Sequence, residues 1–176
     1  MNELDDALFL VAVTDESESE THHTLSFSRS TTVLLTFAAN RFTRSASRFY
    51  QQRFGMGAMD WRMLVMLTRE PDASVSRASA VIGIDKAAVS RSLGRLEEAG
   101  LAIASTPTSN PRRRSWRLTK KGHQLHGEIL EVALSRQRRL LEGFSAEEVE
   151  RMNDMLRRFM ANLEAMDAER QSDVDQ

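Results

Sequence analysis

The stretch that decides the fold runs from Asp85 to Ala102 and reads DKAAVSRSLGRLEEAGLA. It predicts a helix from Lys86 to Ala99, which Asp85 can cap at its start and Gly100 ends. The face that packs inward consists of Val89, Leu93 and Leu96. The opposite face carries small, polar or basic residues, namely Lys86, Ala87, Ser90, Arg91 and Gly94. A helix that enters the major groove of DNA needs this mixture.

A second helix lies directly upstream and makes the segment a helix-turn-helix. Ser74 can cap this helix, which runs to Ile82, and Gly83 ends it. The turn between the two helices contains this glycine, which allows a backbone shape that a side chain would oppose. Farther upstream, apolar residues three or four apart predict a long helix from Thr31 to Phe54. A short, largely buried helix is predicted from Met59 to Leu67, and Pro71 ends it.

Downstream of the helix-turn-helix, the apolar period changes from helical to alternating. The segments LAIAS (101–105) and SWRLT (115–119) alternate, and turn residues lie between them. They predict a β-hairpin, or wing, in which Trp116 points inward. Six of the thirteen residues from Asn110 to Gly122 are Arg or Lys, and none is acidic. The wing is therefore strongly basic, as expected of a surface that meets DNA.

The C-terminal third predicts two long helices. Thr119 can cap the first, from Lys120 to about Leu141, and Ser145 with Glu148 forms a capping box that opens the second. The second helix carries an apolar seam with 3-4-3-4-3 spacing, consisting of Val149, Met152, Leu156, Phe159, Leu163 and Met166. Such a seam favours packing against a helix of a second subunit, and we expect a two-fold dimer.

Composition limits the remaining possibilities. The 176 residues are 41% apolar and 28% charged, which is ordinary for a soluble globular protein. There is no cysteine, so disulfides, thiolate metal sites and thiol switches are excluded. The longest apolar run, near Leu8 to Val13, is too short to cross a membrane and lacks the basic flank of a signal peptide. We expect a cytoplasmic protein.

The near-zero net charge of -1 conceals an uneven distribution. Residues 1–30 carry seven acidic residues against Arg29, whereas residues 71–122 carry ten basic residues against four acidic ones. The polar segment Thr14 to Thr24 is expected to be disordered, within a flexible extension. The charge distribution raises the hypothesis that the acidic extension covers the basic face and lowers DNA affinity.

From about Gly55 to Gly122, the sequence resembles the winged helix-turn-helix of the MarR family of bacterial transcriptional regulators. Asp85 to Ala102 and NPRRRSWRLTKKG (Asn110 to Gly122) carry the resemblance, and the closing LTKKG (118–122) is especially close to the family pattern. It implies a mainly α fold with a small β-wing, flanked by long dimerisation helices. The implied organisation is an extension (1–30), a dimerisation helix (31–54), a DNA-binding domain (55–122), C-terminal dimerisation helices (123–168) and a polar tail (169–176). Family members often have Asp where this chain has Asn110, and the resemblance therefore implies that the wing arginine is held less firmly in this chain than in those members.

The expected DNA-binding residues follow from the helix, the wing and the resemblance. They are Ser74, Lys86, Ala87, Ala88, Ser90, Arg91, Arg95, Arg112, Arg113 and Arg114. The resemblance assigns Arg112 to the minor groove. Of Arg113 and Arg114, which alternate along the strand, one is expected to face phosphate and the other the protein. An alternative function is that the same surface docks an acidic protein partner instead of DNA.

The resemblance also implies a repressor that a small, often aromatic and anionic effector releases. The expected lining of the effector cavity is Arg48, Phe49, Trp61, Met63 and Met66, with Arg48 pairing a carboxylate. His123, His126 and Glu128 lie near one another but do not form a tight metal cluster. No nucleophile elbow, phosphate loop or metalloprotease motif occurs, so we expect neither an enzyme nor a cofactor.

Overall fold

A computed structural model describes residues 4–15, 20–105 and 114–174 of the chain. Within these residues the longer elements are six α-helices and five β-strands. In chain order they are β1 (Leu10–Asp15), β2 (Glu20–Leu25), α1 (Thr31–Phe54), α2 (Ala58–Arg69), β3 (Ala73–Ser74), α3 (Val75–Ile82), α4 (Lys86–Glu98), β4 (Ala102–Ser105), β5 (Ser115–Leu118), α5 (Lys120–Leu140) and α6 (Ala146–Val174). The expected mainly helical fold with a small β-wing is confirmed.

The ends of the helices lie where the local sequence predicted them. The Ser74 side chain accepts a hydrogen bond from the Arg77 amide at 3.1 Å, and Asp85 accepts one from the Ala88 amide at 2.8 Å. Gly83 has a φ of 70°, in the left-handed region, and turns the chain from α3 to α4. At the start of α6, the Ser145 amide donates to Glu148 and the Glu148 amide donates to the Ser145 hydroxyl, so the capping box is present.

The core lies where α2 and α4 pack on the small sheet. Val89 and Leu93 are fully buried, and Leu96 is almost so, which confirms the inward face of α4. From α2 they meet Met63, Leu64 and Leu67, which are equally buried. Each such side chain contributes roughly 1.5–3 kcal/mol on burial. The core therefore holds α4 against α2 and leaves the opposite face of α4 in solvent.

The wing belongs to a three-stranded sheet with the order β3–β5–β4. Trp116 on β5 pairs with Ala73 on one side and Ala104 on the other, and its side chain is buried as expected. Strand β3 could not be predicted from the sequence, because two residues are too few to show an alternating pattern. This strand joins the base of the wing to the segment that leads into α3.

The N-terminal segment corrects one expectation. The described part of Thr14–Thr24 is not disordered, because β1 and β2 pair antiparallel from Leu10 opposite Leu25 to Asp15 opposite Glu20. Residues 16–19 lie outside the described residues. The β-branched Val and Thr residues favour a strand even though the segment is polar, and the Thr14 and Thr21 hydroxyls lie 3.3 Å apart. Every residue of β2 is exposed, so this hairpin lacks a buried face.

The chain divides into two compact units, Met1–Ile129 and Leu130–Gln176. The second unit contains the last part of α5 and all of α6. On α6, Val149 and Phe159 are half-buried, whereas the other four seam residues, Met152, Leu156, Leu163 and Met166, are exposed. Among the described residues, no helix combines the length and apolar character needed to cross a membrane.

Candidate nucleic-acid interface

The outer face of α4 is the main candidate for contact with DNA. Lys86, Ala87, Ser90 and Arg91 are exposed there, and Ala88 is half-buried. Ser79 donates its hydroxyl to the Ile84 carbonyl at 2.6 Å and thereby fastens the turn before α4. The exposed side chains near the start of α4 are short, except for those of Lys86 and Arg91. The short side chains would allow the helix to approach base edges and phosphates closely.

Arg95 differs from the other predicted residues of α4 because a carboxylate engages it. Its guanidinium lies 2.6 Å from Oδ1 of Asp60, near the start of α2. Ser92, one turn earlier on α4, donates to the same oxygen at 2.6 Å. Asp60 did not stand out in the sequence, since a lone acidic residue in the first turn of a helix is common.

Only part of the wing lies within the described residues, and Asn110, Arg112 and Arg113 lie outside them. Arg114 is described and faces the protein. Its guanidinium lies 4.4 Å from the centre of the Trp116 ring and 2.7 Å from Glu97 near the end of α4. One of Arg113 and Arg114 was expected to face the protein. Arg114 does so, through a cation–π contact with Trp116 and an ion pair with Glu97.

The first turn of α5 binds the turn that follows α4. Lys121 donates to the Ala99 carbonyl at 2.9 Å, where the dipole of α4 favours a cation. The Thr119 amide and hydroxyl donate to the Leu101 carbonyl and the Gly100 carbonyl, at 2.9 and 2.8 Å. Lys121 thus has a role within the fold, whereas Lys120 is exposed on the surface.

Ser74 lines an open pocket of about 720 Å³ between the wing base and α3. Arg77 and Arg114 also line the pocket. Arg77 donates two hydrogen bonds to Glu70, at 2.7 and 2.8 Å, and these bonds lower the pKa of the Glu70 carboxyl. Because carboxylates hold both arginines, the pocket does not present two free cations to an anion.

A second cavity, of about 280 Å³, lies between α2 and α3. Its lining consists of Trp61, Arg62, Val65, Met66, Arg69, Val81 and Ile82. The structure therefore brings together two of the five predicted effector residues, Trp61 and Met66. Arg48 and Phe49 are not in this lining, and Met63 is a core residue with no exposed surface. Two cationic side chains, Arg62 and Arg69, are part of this lining.

His126 lies beside this region and stacks on Trp61, with 5.2 Å between ring centres. Burial, and secondarily the neighbouring His123, lowers the pKa of His126. The described ranges contain no group of three or more His, Asp or Glu side chains that could hold a metal ion.

The sequence and the fold are both similar to those of MarR family proteins. Residues 54–114 match the MarR family model. A MarR/EmrR family transcriptional regulator from Acinetobacter sp. ADP1 is 29% identical, with a TM-score of 0.75 over 80% of this chain and 99% of that one. MarR is 25% identical, with a TM-score of 0.65 over 77% of this chain and 94% of that chain. BldR, a transcriptional regulator from Sulfolobus solfataricus, is 21% identical, with a TM-score of 0.63 over 72% of this chain and 94% of that chain. At this identity the similarity shows the fold alone. The resemblance inferred from the sequence is confirmed.

Proposed function

We propose that this chain is a winged-helix transcriptional regulator of the MarR type that acts as a homodimer and binds a pseudo-palindromic DNA operator, because residues 54–114 match the MarR family model and a MarR/EmrR family regulator is 29% identical over 80% of this chain. We further propose that it represses transcription until a small-molecule effector releases it. The exposed outer face of α4, with its short side chains and two cations, is the observation that carries this proposal. Under this proposal the chain works in the cytoplasm and is not an enzyme.

The proposed DNA contacts divide into two sets. Lys86, Ala87, Ser90 and Arg91 enter the major groove, where an arginine that pairs with guanine contributes about 1–3 kcal/mol of discrimination. Arg112 and Arg113 contact the adjacent minor groove and phosphates. Replacing Arg112 with Ala should lower the slope of log affinity against log salt by about one unit if it meets a phosphate.

The proposed dimer rests on the apolar seam of α6. Leu156 and Met166 are 37% and 61% exposed, and exposed apolar side chains at helical spacing favour a partner helix. Two recognition helices about 34–36 Å apart can then reach successive major grooves on one side of the duplex. This geometry is why we propose a two-fold operator.

The proposed effector site is the cavity between α2 and α3. Trp61, Val65 and Met66 give it an apolar wall, and Arg62 and Arg69 line it as well. A volume of about 280 Å³ lies near the lower limit for ligand pockets, so the effector should be small. An aromatic ring that carries a carboxylate fits both properties.

The first experiment is equilibrium binding of the purified protein to DNA from upstream of its own gene. A scrambled duplex of equal length serves as the control, and both are measured across a salt series. Preference for the upstream DNA with a steep salt slope supports the proposal. Equal, weak binding to both would contradict a specific operator in that region, and no binding at low salt would favour an acidic protein partner.

The acidic extension can be tested in the same assay. Deletion of residues 1–28 removes both strands of the N-terminal hairpin and all seven acidic residues of the extension. If the extension covers the basic face, this deletion should increase DNA affinity at low salt, where charge interactions are least screened. Unchanged affinity would exclude that role.

A further inference from the structure

We infer that Asp60 is a positioning residue that fixes the rotation of α4, and that Arg95 affects DNA affinity through Asp60 and not by touching DNA. This inference rests on the proposed function and assigns roles within the same interface. It reverses the expectation that Arg95 is itself a DNA contact.

The Asp60 carboxylate is a junction between two helices. Oδ1 accepts hydrogen bonds from the Ser92 hydroxyl and from Nη2 of Arg95, each at 2.6 Å. Nε of Arg95 lies 3.2 Å from Oδ1 and 3.3 Å from Oδ2. Oδ2 also accepts the Gly57 amide at 3.2 Å, which fixes the carboxylate at the N-terminus of α2. One side chain of α2 therefore binds two consecutive turns of α4.

The hydrogen bonds of Asp60 fix the orientation of α4, which the apolar contacts do not. The core around Val89, Leu93 and Leu96 holds α4 by burial, which has no preferred direction. Hydrogen bonds weaken steeply as their angle departs from linear, so they define the rotation of α4 about its own axis. Ser90 and Arg91 immediately precede Ser92 on the helix. A rotation of α4 would therefore move the side chains that are proposed to meet the bases.

The burial of the Asp60 carboxylate explains why Arg95 remains paired with it. The Asp60 side chain is only 9% exposed, whereas that of Arg95 is 52% exposed. If Arg95 turned towards a phosphate, it would leave a buried carboxylate without its cation, which is strongly unfavourable. A phosphate contact by Arg95 would thus weaken the contact that orients its own helix.

The test uses a duplex that the full-length wild-type protein selects from a random-sequence pool, with a scrambled duplex beside it. Asp60→Asn and Arg95→Met should each lower affinity for the selected duplex by about ten-fold, equivalent to about 1.4 kcal/mol. Affinity for the scrambled duplex and the salt slope should stay close to the wild-type values. The double variant should be no weaker than the weaker single variant, because both changes break one interaction.

Two controls separate orientation from loss of stability. Leu67→Val lowers stability from the core of the same helix without touching the carboxylate, and it should leave the affinity unchanged. Arg95→Lys keeps a cation near Asp60 and should recover part of the lost affinity. If Arg95→Met does not fold, Asp60→Asn still tests the inference, since Arg95 is exposed enough to be solvated by water.

A salt slope that falls by about one unit in Arg95→Met, with wild-type affinity in Asp60→Asn, would overturn the inference, because Arg95 would then contact phosphate directly. Additive losses in the double variant would also overturn it. A wild-type protein that selects no duplex would instead refute the proposed DNA-binding function itself, and the inference with it.

Discussion

Gly122, in the first turn of α5, gives the sharpest prediction about stability. A Cβ atom at this position would lie 2.1 Å from the Leu101 carbonyl oxygen and 3.3 Å from Cβ of Leu118. Since carbon and oxygen normally approach to roughly 3.3 Å, the backbone at Leu101 would have to move by about 1 Å. That carbonyl also accepts the Thr119 amide at 2.9 Å, so the shift strains the junction between β5 and α5.

We therefore expect Gly122→Ala to destabilise the protein. Overpacking costs about 1–3 kcal/mol and a weakened hydrogen bond about 1 kcal/mol, whereas alanine gains about 1 kcal/mol of helix propensity. The net loss should be about 1–3 kcal/mol in the free energy of unfolding, measured by urea denaturation at one fixed protein concentration.

Gly127 provides the matched control on the same helix. Apart from the adjoining backbone of its own helix, a Cβ atom there would have no neighbour within 4 Å, so Gly127→Ala should raise stability by about 0.5–1 kcal/mol. The two substitutions are chemically identical and differ in their surroundings. If both variants are more stable than the wild type, the close approach of α5 to Leu101 is incorrect.

Three further predictions address other parts of the chain. Arg91→Ala should weaken operator binding by about 1–3 kcal/mol and relax base preference, which binding to a set of mutated duplexes would measure. Leu156→Asp should yield monomers in light scattering, whereas the control Arg158→Asp should leave the dimer intact. If Leu156→Asp remains a dimer, the apolar seam of α6 is not the dimer interface. The lowered pKa of His126 means that the folded protein binds fewer protons there than the unfolded chain, so stability should fall as the pH falls below about 6.5. His126→Phe keeps a ring against Trp61 and should reduce that loss in thermal unfolding from about pH 8 to about pH 5; an unchanged loss would show that other groups cause it.

The parts of the fold that depend on local chemistry could be predicted from the sequence. Ser74, Asp85 and Ser145 cap helices because each side-chain oxygen accepts from the amide three residues along the chain. Gly83 and Gly100 end helices because they adopt a positive φ. For these features the neighbours in sequence are the neighbours in space, and the helix bounds follow within a few residues.

Features that depend on distant partners could not be predicted in the same way. Asp60 and Arg95 are 35 residues apart, and several carboxylates and cations offered equally plausible pairs in the sequence. For the same reason the sequence could not show that Arg62 and Arg69 of α2 line the cavity between α2 and α3, whereas the prediction of Arg48 in an effector site stays a prediction. The N-terminal hairpin was missed for a different reason, because it lacks a buried face and therefore an apolar alternation.

The first turn of α5 has a consequence for how an effector could act. Lys121, Thr119 and Gly122 join this turn to Ala99, Gly100 and Leu101, which directly follow the recognition helix. We therefore expect three elements to move as one rigid body: the recognition helix, the base of the wing and the start of α5. Under the proposed dimer, a small tilt of α5 would move the recognition helix and the wing of one subunit together, so the distance between the recognition helices of the two subunits would change while the shape of each stays intact.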